Sequence, residues 1–148
     1  MSLNADSLIQ QLQLEPHAEG GWFRRIWLSN TFIPAESLPQ DYGGDRNSAN
    51  IIYYLLRSEE CSVWHRLKSP ETWLWLCGGT LEITLGGIRE HPIKDRSFFL
   101  TPFGNSEGTQ FLTIQSHTWQ TAKPATNEFV LVACVMSPAF TREDWELA

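Results

Sequence analysis

Apolar positions along this chain recur in two rhythms. Between Asn4 and Leu14, the residues Leu8, Ile9 and Leu12 fall near one face at helical spacing, with Asn4 or Asp6 available as N-cap. That pattern predicts one short helix. Glu15 and Pro16 stop it, and Gly20-Gly21 free the backbone to turn. From Trp22 onward the texture is that of short strands punctuated by glycine, proline and polar turns. Strands are predicted over Trp22 to Leu28, Ala49 to Leu56, Cys61 to Leu67, Thr72 to Cys77 and Thr80 to Leu85. Four more are predicted over Ser97 to Thr101, Gln110 to Gln115, His117 to Ala122 and Glu128 to Met136. The stretch Ser29 to Asn47 is too long for an ordinary connection and is expected to be a functional or oligomer-contacting loop. The tail from Pro138 to Ala148 reads as irregular. Many short strands and almost no helix mean an all-β sandwich or barrel.

Bulk properties narrow the function classes. A chain of 148 residues is expected to be one domain spanning 1–148, large enough to bury a real core. Eleven Lys and Arg against 17 Asp and Glu give a formal net charge of −6. With no basic cluster, a phosphate-tracking nucleic-acid binder is not expected. The most apolar run, Phe129 to Met136, is far short of the ~20 residues a spanning helix needs. Met1 to Gln13 lacks a basic start followed by an apolar core, so a cytoplasmic location is expected. Cys61, Cys77 and Cys134 each sit among apolar neighbours and read as reduced, buried thiols.

The chemistry-bearing segment runs from Ser62 to Gly78 and contains His65, Leu67, Glu71, Trp73 and Trp75. Cupins carry a motif of two histidines one residue apart, then a glutamate, then a glycine after a strand. On a strand, positions i and i+2 share a face, so such histidines enter one barrel together. Here His65, Glu71 and Gly78 stand at those offsets, while Leu67 occupies the second histidine's place. The second cupin motif, Pro-x-Gly-x-x-His, is matched by Gln115-Ser116-His117-Thr118-Trp119-Gln120, with Gln120 in the metal histidine's place. Together with Leu14 to Arg24, Ile52-Tyr53-Tyr54-Leu55-Leu56, Phe129 to Phe140 and Asp144 to Leu147, this pattern resembles the cupin-5 family. Ala18, Pro70, Gln115, His117 and Ala139 depart from the family pattern and bear on turn shapes. The resemblance implies a cupin double-stranded β-helix (jelly-roll barrel) with one short N-terminal helix, usually a homodimer and distantly similar to sugar-nucleotide epimerases. It implies no established activity.

The candidate site follows from that fold. A functional zinc or iron site wants three good protein ligands. His65 and Glu71 could serve as two, but Gln120 offers only a neutral amide oxygen and Leu67 offers nothing, so no metal and no cofactor are expected. Cys61 and His65 share a face but lie about 13 Å apart along a strand, too far to form a nucleophilic pair. His65 and Glu71 are the candidate catalytic residues, the carboxylate holding the imidazole as a general base; a purely structural buried pair is the competing reading. If Glu71 points inward, alternation sends Trp73 and Trp75 inward too, with Tyr54 or Tyr53 joining from a neighbouring strand. Glu19, Arg24 and Gln120 are expected at the rim, Arg24 clamping a carboxylate or phosphate. His17 and His91 are assigned no role. The expected function is binding of a small polar ligand (sugar-, nucleotide- or acid-like) in the barrel, in its enzymatic form a metal-independent isomerase or epimerase. The alternatives are a non-catalytic binding or sensing protein and a metal-dependent, oxygenase-like cupin.

Overall fold

The computed structural model describes residues 3–148; Met1 and Ser2 lie outside the described residues. Helix α1 (Ala5–Gln11) forms where the apolar spacing predicts it, and Asn4 rather than Asp6 caps it. The Asn4 side chain accepts from the Ser7 backbone N–H at 2.9 Å. The helix ends earlier than expected because Gln13 adopts φ 54°, which folds Leu14 back to bury with Leu8 against Leu55 and Leu131.

The strands follow in chain order as β1 (Glu15–Pro16), β2 (Trp22–Leu28), β3 (Phe32–Ile33), β4 (Arg46–Asn47), β5 (Asn50–Leu56), β6 (Ser62–Leu67) and β7 (Glu71–Gly78). After them come β8 (Leu81–Leu85), β9 (Arg96–Leu100), β10 (Phe111–Ile114), β11 (Gln120–Pro124), β12 (Val130–Met136) and β13 (Trp145–Leu147). A six-stranded sheet runs β1-β2-β5-β12-β7-β10 and a five-stranded sheet runs β13-β6-β11-β8-β9; β3 and β4 pair separately. All of these pairs are antiparallel. Tyr54, Leu56, Trp73, Val130 and Val132 from one sheet bury against Leu81, Ile83, Leu100 and Ala122 from the other, the packing of a jelly roll. Alternate residues on the outer side, among them Tyr53, Leu55 and Leu131, receive α1.

Three expectations need correction, and the long loop shows how it is held. Strand β11 begins at Gln120 and not at His117, because His117 sits at φ 64° in a turn, its imidazole 2.8 Å from Asp41. The tail is not irregular: Arg142–Asp144 make a 3-10 turn and β13 pairs with β6. A three-residue strand carries too little periodicity to announce itself, and its edge partner decides it. The long loop is anchored to its own chain. Arg46 is bonded bidentately to Asp144, and the Tyr42 hydroxyl meets Lys68 O and Ser69 Oγ at 3.0 and 2.8 Å. Finally, Cys134 is buried, but Cys61, just before β6, is exposed and Cys77, near the end of β7, is half-buried.

Glycine is required at Gly20. It holds φ 105°, and an added Cβ would lie 2.1 Å from the Cys61 carbonyl oxygen. This close approach ties the loop before β2 to the start of β6 and delivers Glu19 into the interior.

Candidate functional site

Between the two sheets lies a cavity of about 750 Å³. Phe23, Ile52, Tyr54, Trp73, Cys134 and Met136 form apolar walls, and His17, Glu19, His65 and Glu71 converge between them. His65 enters from β6 of the five-stranded sheet and Glu71 from β7 of the six-stranded one, so they face each other across the sandwich. Both are buried, at 1% and 7% exposure.

The carboxylate beside His65 is Glu19 and not Glu71. His65 Nδ1 lies 2.8 Å from the Val63 carbonyl, which can only accept, so Nδ1 carries the proton. His65 Nε2 then faces Glu19 Oε2 at 3.4 Å. Glu19 is braced in turn by the Ser62 hydroxyl and by the Trp145 indole N–H, each at 3.2 Å. Strand parity alone could not supply this partner, because Glu19 arrives from a loop 46 residues upstream of His65.

Glu71 has its own cradle. The Trp73 indole N–H donates to Glu71 Oε1 at 3.1 Å and to Gln120 Oε1 at 3.0 Å. Burial pushes the Glu71 carboxyl up to about 7. His65 and the hydrogen bonds from Gln120 and Trp73 pull it down, while Glu19 adds to the rise. Burial also raises the Tyr54 phenol well above its usual range, and its hydroxyl donates to the Gly20 carbonyl.

The remaining expected residues divide. Trp73 lines the cavity edge-on to Tyr54, with ring centroids 5.7 Å apart. Trp75 is only partly buried against the core, its indole donating to Gly79 O at 2.9 Å, and it does not line the cavity. Glu19 and Gln120 are buried within the site instead of standing at its rim, at 7% and 2% exposure. Arg24 is at the rim, but its guanidinium is tied to Gln13 Oε1 at 2.9 Å and Leu12 O at 3.4 Å. It pairs with outward-facing Tyr53, whereas Arg25 pairs with Ile52, which lines the cavity.

Three contributors escaped the sequence reading. His17 reaches the cavity, and its Nδ1 accepts the Glu19 backbone N–H at 3.1 Å. Burial lowers its pKa, more than Glu19 raises it, which keeps the ring neutral. Its place beside Glu19 in the opening motif was the available signal. Trp145 and Arg142 come from the tail, where nothing in the local sequence indicates a return to the site.

A cupin metal does not fit these residues. In the places of two of the cupin metal histidines, Leu67 offers no donor and Gln120 offers a neutral amide already bonded to Trp73. Among the described residues, no group of three or more His, Cys, Asp or Glu side chains is arranged to hold a metal ion. Nor is any described helix long and apolar enough to cross a membrane.

Protein SO0799 from Shewanella oneidensis superposes with a TM-score of 0.84 at 29% identity, covering 99% of this chain and 85% of that one. A hypothetical protein from Leishmania major gives the same TM-score at 24% identity, covering 99% and 88%. A variant of oxalate decarboxylase from Bacillus subtilis shares the fold alone, with a TM-score of 0.55 at 15% identity over 90% of this chain and 29% of that one. No functionally curated protein sequence matches the chain. The family model described as "Cupin superfamily (DUF985)" matches residues 6–148, and the chain belongs to that family.

Proposed function

We propose that the cavity binds a small polar ligand of sugar-, nucleotide- or acid-like type and that the protein is a metal-independent isomerase or epimerase. The observation that carries this reading is the pair of separately cradled proton carriers in one apolar cavity. His65 is held by Val63 with Glu19 beside its Nε2, and Glu71, pushed up to about 7, is held by Trp73 and Gln120. An imidazole and a protonated carboxyl turned into one cavity can take and give protons. His65 Nε2 takes a proton from a carbon next to a carbonyl, the C–H electron pair moves into an enolate, and protonated Glu71 returns a proton to carbon. Return to the opposite face of the same carbon epimerises; in an α-hydroxy carbonyl, where the enediol's hydroxyl proton passes from one oxygen to the other, return to the former carbonyl carbon isomerises.

The test starts from the small molecule that native mass spectrometry finds retained on the purified protein. In D2O that molecule is expected to gain deuterium at carbon, with His65→Ala slowing the exchange at least ~100-fold while circular dichroism stays unchanged. Binding without exchange, weakened by Trp73→Phe and indifferent to His65→Ala, would establish a non-catalytic binding or sensing protein instead. One metal ion per chain, lost in His65→Ala, would overturn the metal-free reading in favour of oxygenase-like chemistry.

A second copy of the chain is proposed as the partner. Trp27, Leu74 and Phe111 stand on the outer side of the six-stranded sheet at 49%, 36% and 56% exposure, beyond the area that α1 covers. Light scattering on the wild type is expected to give a dimer and Leu74→Asp with Phe111→Asp a folded monomer. A wild-type monomer at high micromolar concentration would remove the proposal.

A further inference from the structure

The cavity is acidic inside and basic at its mouth. Glu19 and Glu71 lie within it, while Arg24, Arg25 and Arg142 line its outer part together with one rim acid, Glu15. These are three of only 11 basic residues in a chain with 17 acidic ones, so the mouth departs from the sign of the whole molecule. Arg24 is already occupied by Gln13 and Leu12. Arg25 is not: among the described residues it makes neither a side-chain hydrogen bond nor an ion pair.

Local backbone explains how Arg25 comes to face the cavity. Phe23 pairs with Tyr54 and Arg25 with Ile52, all four lining the cavity, and the register then shifts before Trp27. That bulge ends the inward alternation after Arg25 and turns Trp27 outward to 49% exposure. Arg142 reaches the mouth from the other side of the chain. The Asn50 side chain accepts the Phe140 N–H at 2.8 Å, seating the tail at the start of β5, and the Arg142 guanidinium lies 5.6 Å from the Trp145 ring. Both Asn50 and Phe140 also line the cavity.

On this basis, and resting on the reading of the cavity as a ligand site, we propose that the ligand is an anion whose phosphate or carboxylate docks on Arg25 and Arg142 at the mouth. Its uncharged part then enters toward Glu19, His65 and Glu71. The orientation follows from charge: an anionic group turned inward would meet two buried carboxyl side chains, whereas at the mouth it meets two guanidinium groups able to bind it through paired N–H donors.

The test titrates inorganic phosphate and, separately, acetate into the full-length protein while following the arginine Nε–H signals by NMR. Saturable shifts are expected at Arg25 and Arg142, and Arg25→Gln or Arg142→Gln should weaken binding roughly tenfold or more. Arg96→Gln, on an edge strand remote from the cavity lining, serves as the control. Tighter phosphate binding assigns a phosphorylated ligand, and tighter acetate binding a carboxylated one. Non-saturating shifts, equal responses at Arg96, or a loss in Arg24→Gln with none in Arg25→Gln would each overturn the assignment. A protein that binds phosphate at Arg25 and Arg142 but tolerates His65→Ala keeps this inference and loses the catalytic one.

Discussion

Replacing Arg46 with alanine is expected to lower the stability of this protein by roughly 3 kcal/mol, seen as a melting temperature about 6–12 °C lower. Arg46 Nε and Nη2 donate to the two oxygens of Asp144 at 2.8 and 2.7 Å, and Nη1 donates to the Asp45 carbonyl at 2.8 Å. The two side chains are 3% and 1% exposed, so removing the cation strands a sealed carboxylate. Lys68 Nζ, 3.9 Å from Asp144, is the only other nearby cation and compensates poorly. The lower end of the range expected for breaking a buried pair applies, because Glu143, which also meets Arg46, is 56% exposed and water is close. Asp144 directly precedes β13, whose Trp145 indole braces Glu19. The damage should therefore spread to the His65–Glu19 contact, and ligand retention should fall with stability. Arg46→Met combined with Asp144→Leu, which removes both charges, should recover most of the melting temperature. A single Arg46→Ala variant as stable as the wild type would show that Asp144 finds water or another partner, and that the loop is not held by this pair.

The second large effect is a dependence of stability on pH with an unusual sign for a carboxylate. Glu71 is pushed from 4.5 up to about 7 in the folded chain, chiefly by burial. Between those values the folded state keeps a proton that the unfolded state has released. Stability contributed by protonated Glu71 is therefore present below pH 4.5 and is lost as pH rises toward 7. The full swing is about 3 kcal/mol. His17 works the other way. Its pKa is lowered from 6.5, so its contribution is lost as pH falls below that value. Comparing the wild type with Glu71→Gln isolates the carboxyl: the two should melt together near pH 4.5, and the variant should melt roughly 6–12 °C higher at pH 8. The substituted amide would keep an oxygen for the Trp73 indole to bind and would carry no titrating proton. A pH-independent difference between the two would mean that Glu71 is ionised throughout and does not serve as the proton donor proposed above.

Much of the architecture was readable along the chain. With Glu71 turned inward by the family motif, alternation put Trp73 inward as well, where both are found, while the choice between Tyr53 and Tyr54 stayed open until the structure buried Tyr54. Period-two patterning depends only on which residues prefer burial, so it survives ignorance of the partner strand. The motif offsets of His65, Glu71 and Gly78 led to the family for the same reason, each being a local spacing.

What could not be read was which strand lies next to which and how loops return. Arg24 was named and Arg25 was not considered, because telling adjacent residues apart requires the register of β2 against β5 and the bulge that follows Arg25. Glu71 was expected to hold His65 because the family motif turns both into the barrel, yet they stand on opposite sheets and Glu19 is the carboxylate beside the ring. His17, Arg142 and Trp145 reach the cavity through contacts spanning much of the chain; Trp145 meets Glu19 across 126 positions. The sequence by itself determined most of the strand pattern, the alternation along β7 and the loss of the metal-binding pattern at Leu67 and Gln120. Only the tertiary structure decided the carboxylate partner of His65, the basic mouth and the return of the tail. Burial preference is a property of each residue in its own segment, whereas pairing depends on free energies summed over segments far apart in the chain.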